Sequence, residues 1–234
     1  MISLQETTSR YGENLYHFLE SRGYQLCLLH PRQTHQFAQQ RGLRAKTDKL
    51  DATTIARGLL SGEARPGYVP TELIAIYREL VRLHTQLSDE VARYKNEIQA
   101  LLVVLFPEFS QVFADPCRAT VLALLKLHPS AQAIAATGVE AIAAKLHELA
   151  PRNYGHSTAE YLVHLAQHSV SRGIAVTARS TSLKILCDQL EHTQANMAQL
   201  ESEIDNLLDT DDGAKGLGSV PEFGHKTVAV LRAE

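Results

Sequence analysis

The hydrophobic rhythm of the chain changes twice. Residues 1–6, MISLQE, alternate apolar and polar with the period of a short strand. In YGENLYHFLESRG (11–23), Leu15, Phe18 and Leu19 share one helical face, and Gly23 is placed to stop the helix. YQLCLL (24–29) is a continuous apolar run that predicts a buried strand, ended by His30-Pro31. RQTHQFAQQRG (32–42) predicts a short helix closed by Gly42, and a second helix is expected at about 48–61. GEARPGYVP (62–70), with two prolines and two glycines, predicts a linker. Strand–helix–strand–helix–helix is an α/β pattern with parallel strands, and it defines a first domain over 1–70.

From Leu73 the period becomes helical. Leu73, Ile76, Leu80, Leu83, Leu87, Val91, Tyr94, Ile98, Leu101 and Leu105 recur at steps of three and four, predicting one long helix that ends before Phe106-Pro107. Residues 183–208 repeat the theme, with Leu183, Leu190, Met197 and Ile204 on one heptad position and Leu186, Thr193, Leu200 and Leu207 on another. An Ala-rich helical insert at about 118–170 separates the two, so they are expected to form an antiparallel coiled-coil hairpin over 71–212. Within the insert, Thr137 and Glu140 have the spacing of a capping box.

The last segment, 213–234, includes LGSVPEFGHKTVAVLRAE after TDDGAKG. Pro221 and Gly224 frame a tight turn and Thr227 is read as opening a helix, the shape of a helix-hairpin-helix turn. Such a turn aims backbone N–H groups and a helix dipole at a phosphate, and Lys226 adds a point charge beside Gly224. The competing reading is an ordinary helix–helix turn. The fold class is therefore mixed and mostly α.

Composition narrows the class without naming it. The chain has 234 residues and is 44% hydrophobic and 21% charged, which suits a globular protein with a buried core. No apolar run approaches the ~20 residues that span a bilayer, and no membrane partner is expected. The N-terminus lacks the basic and apolar regions of a signal peptide, and Cys27, Cys117 and Cys187 fit no metal or disulfide spacing, so a cytoplasmic location is expected. Residues 1–70 hold nine Lys/Arg against six Asp/Glu, whereas 179–212 hold two against eight. That asymmetry assigns different work to different segments.

The strongest local signal is RAKTDKLDA (44–52). Asp48 and Asp51 are three apart, within roughly 60° of one helical face. The plain reading is a helix N-terminus with Thr47 as cap and acids favouring the dipole. The chemical reading adds Glu6, which ends the first strand, at the carboxyl end of a parallel sheet, where ligand sites of α/β proteins lie. Three carboxylates converging there repel one another unless a cation sits between them. Lys46 and Lys49 flank the acids as phosphate-contact candidates.

Glu6, Thr7, Thr8, Ser9 and Tyr11, then His30-Pro31, then Lys46, Thr47, Asp48, Asp51 and Ala52 resemble the RuvC-like domain of the DEDD insertion-sequence transposases. That pattern runs E-x-T-G-x-Y, a strand ending at an Asn-Pro-like turn, and K-T-D-x-x-D-A. The long hairpin resembles the family's coiled-coil region. LGSVPEFGHKTVAVLRAE resembles the start of its C-terminal domain, usually S-I-P-G-I-G-x-x-T-A. The resemblance implies a partial RNase H/RuvC-like domain, Mg²⁺ held by Glu6, Asp48 and Asp51, and DNA as partner. It also implies a structured guide RNA in some members, a homo-oligomer through the hairpin, and DNA transposition and recombination by metal-assisted phosphoryl transfer. Carried over, Glu6, Asp48 and Asp51 are the second, third and fourth acids of the family's tetrad. The first Asp and the serine nucleophile find no counterpart in these 234 residues, so the expectation is a truncated, catalytically incomplete member. Ser9 stands where the family prefers Gly, and Glu222-Phe223 replace its Gly-Ile, which questions the local backbone. The alternative is a non-catalytic coiled-coil dimerisation module whose aspartates are only helix caps.

Overall fold

The computed structural model describes residues 2–5, 13–24, 26–29, 32, 36, 39, 48–61, 70–171 and 173–234. The chain divides into two compact units, Met1–Leu73 and Ile74–Glu234.

In the first unit, β1 (Ile2–Gln5) and β2 (Leu26–Leu29) pair in parallel, with Ile2 opposite Leu26 and Gln5 opposite Leu29. Helix α1 (Glu13–Ser21) lies between them in sequence, as a parallel pair requires a crossover. It ends where Gly23 adopts φ 78°, with Gly23 N–H donating to Glu20 O and Tyr24 N–H to Leu19 O. Helix α2 (Asp48–Leu60) packs its Ile55 and Leu59 on Leu29. The predicted face of α1 is only partly used: Leu15 is 48% and Phe18 54% exposed, with the Arg22 guanidinium 5.0 Å over the Phe18 ring. The short helix expected at 32–42 and the linker at 62–70 fall almost wholly outside the described residues.

The second unit is helical. Helix α3 (Glu72–Leu105) and helix α8 (Val176–Thr210) are the two long elements. They run antiparallel, because Tyr77 lies beside Asp211 while His84 reaches Glu201. Between them come a 3-10 turn (Pro107–Gln111), α4 (Ala119–Leu127), α5 (Ala131–Thr137), α6 (Val139–Leu149) and α7 (His156–Gln167). Helices α9 (Asp212–Gly218) and α10 (His225–Ala233) follow.

On α8 the predicted row is buried at Leu183, Leu190 and Ile204, and Thr193 and Leu200 are buried on the second row. On α3 the seam differs from the reading by periodicity. Ile76 and Leu83 are 42% and 45% exposed, while Tyr77 and His84, one position later, are buried. The buried row steps by seven through Tyr77, His84 and Ile98 to Leu105, with Val91 partly buried on the same step. The apolar count finds Val91, Ile98 and Leu105 of this row and misses Tyr77 and His84, polar aromatics that face Asp211 and Glu201 across the hairpin.

The insert supplies most of the core. Phe106, Phe109, Phe113 and Tyr154 stack in a chain with ring centroids 5.7, 4.9 and 5.3 Å apart. Val121, Leu122, Ile134, Ile142, Leu146 and Leu162 join the ends of α3 and α8 in one cluster. Lys126 on α4 ties the insert to α8, with Nζ 2.6 Å from Glu191 and 3.3 Å from Asp188. Glu108 accepts from Ser169 Oγ at 2.6 Å and from Val170 N–H at 3.0 Å, closing the loop into α8. Ser130 caps α5 by accepting from Ala133 N–H at 3.2 Å. The expected Thr137–Glu140 capping box does not form. Thr137 is the last residue of α5 and donates to Ala133 O at 2.8 Å, while Gly138 at φ 81° takes the cap position of α6 and Glu140 turns to His156.

Leu122 is fully buried at the centre of this cluster. Leu122→Ala is expected to lower unfolding free energy by about 2–5 kcal/mol, read by urea denaturation. A loss below about 1 kcal/mol would show that the insert is not packed as described.

Candidate nucleic-acid and metal interface

The sequence-predicted site residues fall into two groups. In the first unit, Glu6 and Lys46 lie outside the described residues, as do the side chains of Asp48, Lys49 and Asp51. The backbone frame around them is defined. Asp48 is the first residue of α2, and Asp51 sits one turn later. Ile55, a further turn on, packs on Leu29, the last residue of β2, which is paired with Gln5, the last residue of β1. The opening turns of α2 are thus about two helical turns from the carboxyl edge of the sheet, and Glu6 directly follows that edge in sequence.

A group of three carboxylates suits a hard cation such as Mg²⁺, which takes oxygen ligands in near-octahedral geometry. The donor set at Glu6, Asp48 and Asp51 has that chemistry. Among the described residues no three His, Cys, Asp or Glu side chains converge on a common point. His164 and His168 stack at 4.5 Å, and His168 Nδ1–H donates to His164 O at 2.8 Å, so they form a helix-end contact with no third ligand among the described residues. Cys117 and Cys187 are free and buried. Burial raises both thiols above the usual range, Cys187 to about 12, which leaves them unreactive.

Ser88, His84 and Glu201 line up across the hairpin, with Ser88 Oγ 3.4 Å from His84 Nδ1 and Nε2 3.1 Å from Glu201 Oε1. This is a structural layer and not a hydrolytic triad. The one Ser88 proton is given to His84 O at 2.8 Å, so the hydroxyl is not poised to attack. Three arginines on α3 are engaged within the chain. Arg78 donates to the carbonyls of Ala233 and Glu234, Arg82 lies 3.6 Å from Glu79, and Arg93 pairs with Glu97 at 3.0 Å and covers the Tyr94 ring.

The C-terminal group is fully described. Within TDDGAKG the extended Asp211 (φ −97°, ψ 109°) separates α8 from α9, and its Oδ1 accepts from Gly213 N–H at 2.9 Å to cap α9. Helix α10 begins at His225, two residues before the expected Thr227. Gly224 is its N-cap with φ −71° and ψ 161°, an ordinary extended conformation, and no side chain caps the helix. Glu222 and Phe223 likewise avoid positive φ, so the departures from the family's Gly-Ile carry no backbone strain. Lys226 is exposed beside the uncapped N-terminus, and His225 is held to Asp205 at 2.7 Å. Added carbon at Gly224 would meet nothing within 4 Å.

Below the turn lies an ionic cluster that the sequence reading does not anticipate. Asp211 is 7% exposed and accepts from Arg232 Nε at 2.7 Å and Nη2 at 3.0 Å. Burial alone would raise its pKa, but the Arg232 fork and the Gly213 and Ala214 amides outweigh it and hold the carboxyl below the usual range. Tyr77 is fully buried beside this carboxylate without meeting hydrogen-bond geometry, and burial together with the Asp211 charge pushes its hydroxyl up to about 12. One signal in the sequence points to the burial of Asp211, which falls seven residues after Ile204 in the series Leu183, Leu190, Met197, Ile204.

Residues 2–107 match the model of the DEDD transposase family of the IS110 type, described as Transposase. The resemblance carried by Glu6 to Ala52 thus holds over that segment. The chain is also similar to a curated relative, "Putative transposase y4qE" of Sinorhizobium fredii (strain NBRC 101917 / NGR234), 28% identical over 92 residues. That match covers 39% of this chain and 23% of the relative's length. No described helix is long and apolar enough to cross a membrane.

Two glycines give opposite expectations. A Cβ on Gly213 would stand 2.9 Å from Arg232 Cζ, whereas Gly224 is open. Gly213→Ala should lower the melting temperature by displacing the guanidinium, and Gly224→Ala, which meets no neighbour, should cost no more than about 1 kcal/mol, that of a poorer N-cap. Equal melting curves for the two variants would contradict the packing at Arg232.

Because Asp211 has its pKa lowered by folding, its contribution to stability is complete above the unfolded value and is lost as pH falls through the folded value. Thermal melts of wild type and Asp211→Asn should therefore converge as pH is lowered below about 4 and differ at neutrality. A constant difference across that range would show that the carboxyl does not titrate with unfolding.

Proposed function

We propose that this protein is an insertion-sequence transposase that binds DNA through Lys46, Lys49 and the Gly224–Lys226 turn and holds Mg²⁺ with Glu6, Asp48 and Asp51. The observation that carries the reading is the family match over 2–107, which spans all three acids and the frame in which α2 meets the carboxyl edge of β1 and β2. In it, the first unit is part of an RNase H/RuvC-like domain.

The acids' work in this reading is to hold a divalent cation at a fixed place against a phosphate. When bound, that ion supplies charge neutralisation at the scissile phosphodiester. Asp48 and Asp51 stand three residues apart at the start of α2, where a helix dipole favours negative charge. Lys46 and Lys49 flank them and bind backbone phosphate without reading bases. A structured guide RNA would use the same charge-based contacts, and base pairing would then carry sequence selection.

Assembly follows from the seam. Ile76 and Leu83 are exposed and Leu80 and Leu87 half-buried on one side of α3, an apolar strip at seven-residue spacing that a second copy would cover. This observation also suits the module reading, in which the hairpin dimerises and no metal is held.

Two measurements separate the readings. Mn²⁺ should broaden the amide resonances of residues near 5–7 and 48–52, and Asp51→Asn should abolish this. Broadening that is absent, or indifferent to the substitution, leaves only the dimerisation module. Duplex-DNA affinity should fall with salt, and Lys49→Ala or Lys226→Ala should each reduce the log–log slope by about 1. Affinity independent of salt would rule out phosphate binding.

A further inference from the structure

Helices α9 and α10 meet α8 through small side chains: Ala214 on α9, and Val228, Ala229 and Ala233 on α10, are buried. Such contacts bring backbones close but leave rotation and sliding weakly opposed, since small residues offer few interlocking atoms. Direction must come from elsewhere, and the Asp211–Arg232 pair supplies it. Asp211 ends α8 and starts α9 as its cap, so its carboxylate is fixed to both. Arg232 lies in the last turn of α10 and meets that carboxylate with two parallel N–H donors, a planar geometry that allows one orientation. Gly213 lets the guanidinium lie against the backbone, where any Cβ would stand 2.9 Å from Cζ. Arg78 then binds the carbonyls of Ala233 and Glu234 at the end of α10, where a cation complements the helix dipole. The far end of α10 is held as well, by His225 on Asp205.

We propose that Asp211 and Arg232 are positioning residues for nucleic-acid contact: their pair sets the angle of α10 on the hairpin and so aims the Gly224–Lys226 turn at a phosphate. This rests on the reading above that the turn contacts DNA. In this account neither residue contacts the phosphate itself. Arg232 is neutralised by the acid it binds, and Asp211, as an anion, would by itself repel a phosphate.

That repulsion makes the inference decidable. Asp211→Asn removes a negative charge near a DNA-binding surface, so simple electrostatics predicts tighter binding. Loss of positioning predicts weaker binding. Arg232→Lys preserves charge and removes the two-donor fork, so electrostatics predicts no change and positioning predicts loss. The experiment measures duplex-oligonucleotide affinity of the full chain and both variants at two salt concentrations, with amide hydrogen exchange over 212–233 and over 183–200. The expected result is an affinity loss of about fivefold or more in both variants, with protection lost over 212–233 and kept over 183–200. Retained protection over 183–200 shows that the hairpin is folded; should Asp211→Asn lose it, Arg232→Lys decides alone. Wild-type or tighter affinity in a folded variant overturns the positioning role while leaving the turn as a DNA contact. Failure of the wild-type chain to bind DNA at low salt overturns the reading of the turn itself, and this inference with it.

Discussion

A 34-residue helix exists in water only if something runs beside it, because propensity alone does not hold so long an element against the entropy of ordering it. In this protein α8 packs on α4 of the insert and on α9 and α10, and α3 is joined to α8 through the shared core cluster and through the side chains of Tyr77 and His84. Leu183, Cys187 and Leu190 of α8, and Ile98, Leu102 and Leu105 of α3, belong to the same cluster as the helices of the insert. The hairpin is therefore anchored at its insert end by apolar burial. Toward its other end the seven-residue row carries Tyr77 and His84, and there the helices are related through polar groups facing Glu201 and Asp211.

Polar groups in such a row lower stability but restrict register, since a shift of one turn would leave His84 and Tyr77 away from their acids and surrounded by apolar atoms. Asp211 has the same effect at the end of α8. A carboxylate only 7% exposed must be satisfied, and the fork of Arg232 with the Gly213 amide satisfies it. The pair thus adds a directional contact to the apolar burial of Ala214, Val228, Ala229 and Ala233.

What the sequence made legible follows the same division. Strands β1 and β2, the extent of α3 and the rows of α8 are visible because each is an apolar period long enough to count. The turn at Gly224 is visible through Pro221 and Gly224. The seam of α3 differs at Ile76 and Leu83 because hydrophobicity cannot reveal that His84 bonds Glu201 and that Tyr77 lies beside Asp211, each more than a hundred residues away. Helix α9 leaves no apolar period to count, because Asp212–Gly218 is short and polar and its start is set by Asp211, a cap whose other oxygen is held by Arg232. Thr137 failed as a cap because Gly138, with its positive φ, was available to end one helix and begin the next. Of the candidate site, the residues of the turn and the start of α2 at Asp48 were legible, and the Asp211–Arg232 pair was not.

The two readings of Asp48 and Asp51 are physically compatible, and this bears on how such a site arises. At the N-terminus of α2 the unsatisfied N–H groups and the dipole favour ionised acids whether or not a metal is near. A helix start is thus a place where two carboxylates one turn apart carry little penalty. The penalty appears only when a third acid approaches from the sheet edge, because three like charges then share a small volume. Cap chemistry can explain Asp48 and Asp51, and it has no use for Glu6 at the carboxyl end of β1. Glu6 is therefore the residue on which the metal reading turns: near the aspartates it makes a cation necessary, and away from them α2 needs nothing beyond its own dipole.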